Sequence, residues 1–150
     1  MSNQLTVRNS VIIDAPASVV WDALVNPEQT QKYMFGCAAV SDWTVGSPLL
    51  WRGTHEGQEM VLVEGNVVAI EPEKFLAYTT IDPNSTTENV PENYLTVTYD
   101  LSVEDGQTVL TTTQGDYAAV ADGDRRYQET IDGGGWDPIL TAIKTMVEER

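Results

Sequence analysis

The sequence contains one cysteine, Cys37, and one histidine, His55. A lone cysteine excludes an internal disulfide. A lone histidine excludes His-rich metal sites and leaves a Ser–His–Asp arrangement without recognisable partners. Lysine is scarce as well, with only Lys32, Lys74 and Lys144. Eight basic residues face 23 acidic ones, for a formal net charge of −15. Such a surface repels nucleic-acid phosphates and anionic headgroups, so neither nucleic acid nor membrane is expected as a partner. No apolar run approaches the ~20 residues of a membrane span. The opening MSNQLTVRNS lacks a basic stretch leading into an apolar one, so no secretory signal is expected, and the expected setting is cytoplasmic. No glycine-rich phosphate cradle appears, and Asp122-Gly123-Asp124 lacks the remainder of a calcium loop, so no cofactor and no metal are expected. Carboxylates are abundant, but no two pair as acid and base, and no catalytic residue is assigned.

What is present is a globular pattern. The hydrophobic fraction is 41% over 150 residues, enough for one domain (1–150) with a sizeable core or a core and a cavity. Val7, Val11 and Ile13 share one face at period two, which reads as a half-buried strand. Pro16 suits the first turn of a helix carrying Val19, Val20, Ala23 and Leu24. Pro27 ends that helix and starts a second, PEQTQKYMF, closed by Gly36. Strand candidates follow at 38–43, 48–53, 60–70, 75–81, 94–103 and 108–114, separated by turn signals. Leu95, Val97, Tyr99, Leu101 and Val103 alternate on one face. Asp105-Gly106 is a two-residue hairpin signal that sets Leu101 opposite Leu110.

The tail is helical. Trp136, Ile139, Leu140, Ile143 and Val147 form one apolar stripe. A shorter helix over 122–131 precedes it, capped by an aspartate, and Gly133-Gly134-Gly135 separates the two. Each glycine would cost roughly 1 kcal/mol inside a helix, so the run reads as a break with close backbone approach or as a hinge. The order of elements gives an α+β fold: about seven antiparallel strands, two short helices after the first, and a long C-terminal helix. A curved sheet gripping that helix buries both apolar faces.

Several phrases occur together: Ala15-Pro16, Val20-Trp21, Ala23-Leu24 and Asn26-Pro27, then Val45-Gly46-Ser47-Pro48, Glu64-Gly65-Asn66-Val67, Glu71-Pro72 and Gly135-Trp136 before Leu140 and Ile143. This ordered set resembles the heat-shock-protein-90 ATPase activator homologue family of the START-like superfamily, with Tyr33 where members often carry a tryptophan. The resemblance implies the helix-grip fold and a cavity between the sheet and the last helix. Candidate lining residues are Tyr33, Met34, Phe35, Trp43, Trp51, Tyr78, Tyr94, Tyr99, Trp136 and Leu140. Apolar walls with a few hydroxyls suit a small apolar or amphipathic molecule, and the same aromatics could simply fill the core.

Three functions are open on this basis. The first is a non-enzymatic binding module. The second is a chaperone accessory that meets a protein partner. The third is an enzyme of the polyketide cyclase or aromatase kind, for which Thr112, Gln114 and Tyr99 could point inward. His55 is expected in an exposed turn and Cys37 as an inert, partly buried thiol. Asn84-Ser85-Thr86 fits a glycosylation pattern by chance alone.

Overall fold

In the computed structural model, residues 5–34, 36–83, 88, 90 and 93–149 are described, without the side chain of His55. Strand β1 (Val7–Ile13) leads into helices α1 (Ala17–Val25) and α2 (Pro27–Tyr33). Six strands follow: β2 (Ala38–Ser41), β3 (Pro48–His55), β4 (Gln58–Glu71), β5 (Phe75–Thr80), β6 (Leu95–Glu104) and β7 (Gln107–Gly115). Helices α3 (Gly123–Asp132) and α4 (Asp137–Glu148) complete the chain. The seven strands form one antiparallel sheet in the order β1-β7-β6-β5-β4-β3-β2.

Local chemistry explains the boundaries. Asn26 accepts the backbone N–H of Glu28 and so caps α2, whose first residue is Pro27. The sequence pattern carries α2 to residue 35, but it stops at Tyr33. Met34 already leaves helical geometry, at φ −107° and ψ 53°, and Gly36 turns the chain at φ 82°. Asp105 and Gly106 both take positive φ, as a type I′ hairpin requires, and Leu101 faces Leu110. The β6 alternation is buried as far as Leu101, whereas Val103 is 61% exposed because the strand outruns the core there. Asp122 precedes α3 without a side-chain cap bond. It sits at φ 55°, and its carboxylate pairs with Arg125 instead.

Strand β4 changes partner along its length, with a register shift between Val67 and Ala69. Its first half pairs with β3, and its end from Val67 pairs with β5. Gly65 lies at this changeover, and a Cβ there would meet the Thr79 carbonyl oxygen at 1.7 Å. Only glycine admits that approach of two backbones.

Helix α4 lies across the concave side. Leu140, Ile143 and Val147 are buried, and Trp136 at its N-cap is buried with them. Each such side chain contributes about 1.5–3 kcal/mol of transfer free energy. Polar contacts fix the helix against β1. Asn9 accepts the Trp136 backbone N–H at 2.9 Å and donates to Asp137 at 3.2 Å. Near the other end, Lys144 donates to the Ile12 carbonyl and Glu148 accepts the Asp14 N–H. Gly134 and Gly135 take φ 94° and 61°, and a Cβ on Gly135 would lie 2.6 Å from Asn9 Oδ1. The glycine run is therefore a helix break that lets the backbone pass close to β1.

Candidate functional site

Between the sheet and the start of α4 lies a cavity of about 290 Å³. Alternation along the strands supplies its floor: Trp51 from β3, Val63 from β4, Tyr78 and Thr80 from β5, Val97 from β6 and Gln114 from β7. Met34 and Cys37, from the turn after α2, close one side, and Gly135, Trp136 and Ile139 close the other. Apolar groups dominate this wall. None of the described residues lining it carries a carboxylate, an imidazole or an amine.

The aromatic residues form a connected series. Trp51 and Tyr78 have ring centroids 6.0 Å apart, Tyr78 and Tyr99 5.6 Å, and Tyr99 and Trp136 5.9 Å, the last edge-to-face. Such tilted arrangements suit the ring quadrupoles. The Tyr78 and Tyr99 hydroxyls share a hydrogen bond of 2.7 Å. Burial pushes the pKa of both above the ordinary tyrosine value, so the pair stays neutral and does not supply a base near pH 7. Burial also raises the Cys37 thiol, which keeps it protonated rather than nucleophilic.

The remaining sequence candidates fall in different places. Met34, Trp51, Tyr78 and Trp136 line the cavity. Tyr99 and Leu140 stand behind its wall in the core. Tyr33 is buried under α1, where its hydroxyl donates to the Ala23 carbonyl at 2.7 Å, and does not reach the cavity. Trp43 packs half-buried on the core after β2, with φ 58°, and Tyr94 is half-buried outside the lining. Phe35, the His55 side chain and Asn84-Ser85-Thr86 lie outside the described residues. Cys37 is buried, as a small apolar wall residue would be.

Val63, Thr80, Val97 and Ile139 are lining residues that an aromatic-led reading passes over. Period-two alternation through Tyr78 and Tyr99 already places Thr80 and Val97 on the inner face. Thr112 is also inward and fully buried, and its hydroxyl has no hydrogen-bond partner among the described residues. It lies outside the cavity lining.

A second, more polar cavity of about 410 Å³ adjoins the first and shares Val63, Thr80 and Gln114 with it. Asp82, Tyr117, Arg126, Glu129 and Thr130 line its far side. Gln114 therefore stands where the two meet. Its Oε1 accepts the Trp136 indole N–H at 3.0 Å. Among the described residues, no group of three or more His, Cys, Asp or Glu side chains is arranged to hold a metal ion, and no helix is long and apolar enough to cross a membrane.

Several solved structures share this architecture. A protein from Cytophaga hutchinsonii is 30% identical, with 99% of this chain and 97% of that one covered and a TM-score of 0.79. A protein from Arthrobacter aurescens is 17% identical over 98% and 88% of the two chains, with a TM-score of 0.76. An HSP90 activator from Plasmodium falciparum is 16% identical over 95% and 96%, with a TM-score of 0.69. No curated protein sequence matches the chain. The family model described as activator of Hsp90 ATPase homolog 1-like protein matches residues 14–148, nearly the whole sequence, and the chain belongs to that family.

Proposed function

We propose that this protein is a non-enzymatic binding module that takes a small, largely apolar molecule into the cavity between the sheet and α4. The supporting observation is the cavity wall: Trp51, Tyr78, Val97, Trp136 and Ile139 present apolar surface around about 290 Å³ that the core leaves unfilled. Small-molecule pockets run from about 300 to 1,000 Å³, with apolar walls and few polar groups, so the ligand would be compact. Acid–base catalysis gains no support there, because the buried tyrosines are held neutral and no carboxylate among the described residues lines the space. Calorimetric titration with 2-acetylnaphthalene tests the reading. Saturable 1:1 binding is expected, and it is expected to vanish in a folded Val97→Trp variant whose new side chain occupies the cavity. Absence of binding, or equal affinity in the variant, would remove the reading.

A chaperone-accessory role is the second reading, favoured by the family description and by the Plasmodium relative's being an HSP90 activator. The net charge of −15 would complement a basic patch on a chaperone. A stoichiometric addition of this protein that leaves a chaperone's ATPase turnover unchanged would count against it.

A further inference from the structure

We infer that the cavity selects neutral ligands carrying a hydrogen-bond acceptor, and that Gln114 reads that acceptor. This rests on the binding reading above and specifies the chemical class of its ligand.

The inference starts from the indole of Trp136. An indole N–H can only donate, so the Gln114 amide must turn its oxygen toward it. That contact fixes the amide orientation. Both amide N–H donors of Gln114 then remain, and no described residue accepts them. They sit at the junction of the apolar cavity and the polar one, because Gln114 lines both. Thr80 lines both as well, and its hydroxyl makes no hydrogen bond to a described residue. The junction thus offers an amide donor pair beside a hydroxyl. A ligand that fills the inner cavity and leaves these groups without an acceptor loses the hydrogen bonds that water would give them.

Charge narrows the class further. No cation lines the inner cavity among the described residues. The outer cavity is lined by one cation, Arg126, and two carboxylates, Asp82 and Glu129, so its described lining is net negative. The whole chain carries −15. A carboxylate would enter a negative field and lose its hydration without an ion-pair partner. A ketone, ester, amide or ether oxygen meets the same donors without that cost.

A matched series of 2-substituted naphthalenes, titrated by calorimetry, tests the assignment. With the native protein, 2-acetylnaphthalene is expected to bind roughly three- to tenfold more tightly than 2-ethylnaphthalene, the worth of one hydrogen bond. It is expected to bind more than tenfold more tightly than 2-naphthoate. Gln114→Glu keeps an acceptor for Trp136 and removes the donors. In that variant the acetyl preference should disappear, and 2-(aminomethyl)naphthalene should become the tighter ligand. Gln114→Met removes both ends of the amide, and its acetyl-to-ethyl ratio should fall toward one. These are ratios within one protein, so a general loss of stability does not mimic them. Acetyl and ethyl compounds binding within twofold of each other to the native protein would overturn the inference and leave the binding reading intact. Tightest binding of the naphthoate, or variants that retain the native ratio, would do the same. Failure of every naphthalene to bind would remove both.

Discussion

At the scale of single residues, the aromatic series behind and around the cavity sets both stability and its pH dependence. Trp136 packs edge-to-face on Tyr99, donates its indole N–H to Gln114 and its backbone N–H to Asn9, and accepts the Leu140 N–H at the start of α4. Truncation to alanine removes a large buried surface and leaves a void, so Trp136→Ala should lose about 3–5 kcal/mol in chemical denaturation. Trp136→Phe should lose less, because it keeps the ring contact. A Trp136→Ala variant that melts within a degree or two of the native protein would contradict the anchor role. Tyr33, Tyr78 and Tyr99 give a second test. Burial raises all three pKa values above the ordinary value near 10. Above pH 10 the unfolded chain therefore releases protons that the folded chain retains, and stability falls as pH rises. Below pH 10 their contribution is fully present. Urea midpoints followed from pH 8 to pH 11.5 should hold level in this respect and then drop, with a slope reaching about 1.4 kcal/mol per pH unit for each tyrosine. Tyr99→Phe should shallow that slope, and a slope unchanged in that variant would show that Tyr99 does not contribute to it.

At the scale of elements, the junction of α3 and α4 carries the sharpest expectation. The three glycines are not equivalent. Gly135 has φ 61° and no room for a Cβ beside Asn9, whereas Gly133 has ordinary φ and its nearest neighbour lies 3.5 Å from a built Cβ. Gly135→Ala should therefore destabilise by more than about 1 kcal/mol, since left-handed backbone alone costs an alanine ~1–2 kcal/mol. Gly133→Ala should be neutral, or stabilising by ~0.4–1 kcal/mol through the unfolded chain. Equal effects at the two positions in thermal melts would sink this account of the break.

Much of this scale was legible in the sequence, because period-two and period-3.6 patterns encode which face is buried. The α4 stripe, the Asp105-Gly106 hairpin and the Leu101–Leu110 pairing follow from local rules. Asn9 was not legible. It is a polar residue on an inward strand position, and its partners Trp136 and Asp137 lie more than 120 residues away. Tyr33, one of the aromatic lining candidates, is a buried core residue outside the cavity lining, and its hydroxyl donates to the Ala23 carbonyl of α1. Size and aromaticity mark core residues, but they do not say which core residue borders a void.

At the scale of the whole molecule, a net charge of −15 and few lysines make self-repulsion a limit on the folded state. Salt screens exposed charges over a Debye length of ~10 Å at 0.1 M and ~3 Å at 1 M. The melting temperature should therefore rise between ~10 mM and ~1 M sodium chloride, and a flat or falling trend would show that charge does not limit the fold. The fold, shared with the Cytophaga hutchinsonii protein across nearly its full length, follows from the order of elements. The position of the cavity follows from geometry that no short phrase encodes. It lies where α4 begins, and Trp51, Tyr78 and Trp136 line it without filling it.

The most direct test of the central proposal uses the four tryptophans as reporters. Trp51 and Trp136 line the cavity, while Trp21 and Trp43 pack on the core elsewhere. With 5-fluorotryptophan incorporated, fluorine NMR should resolve four signals, assigned by single Trp→Phe replacements. Titration with 2-acetylnaphthalene should shift the Trp51 and Trp136 signals saturably, with one dissociation constant, and leave those of Trp21 and Trp43 in place. Four unmoved signals at saturating ligand, or shifts confined to Trp21 and Trp43, would contradict a binding cavity between the sheet and α4.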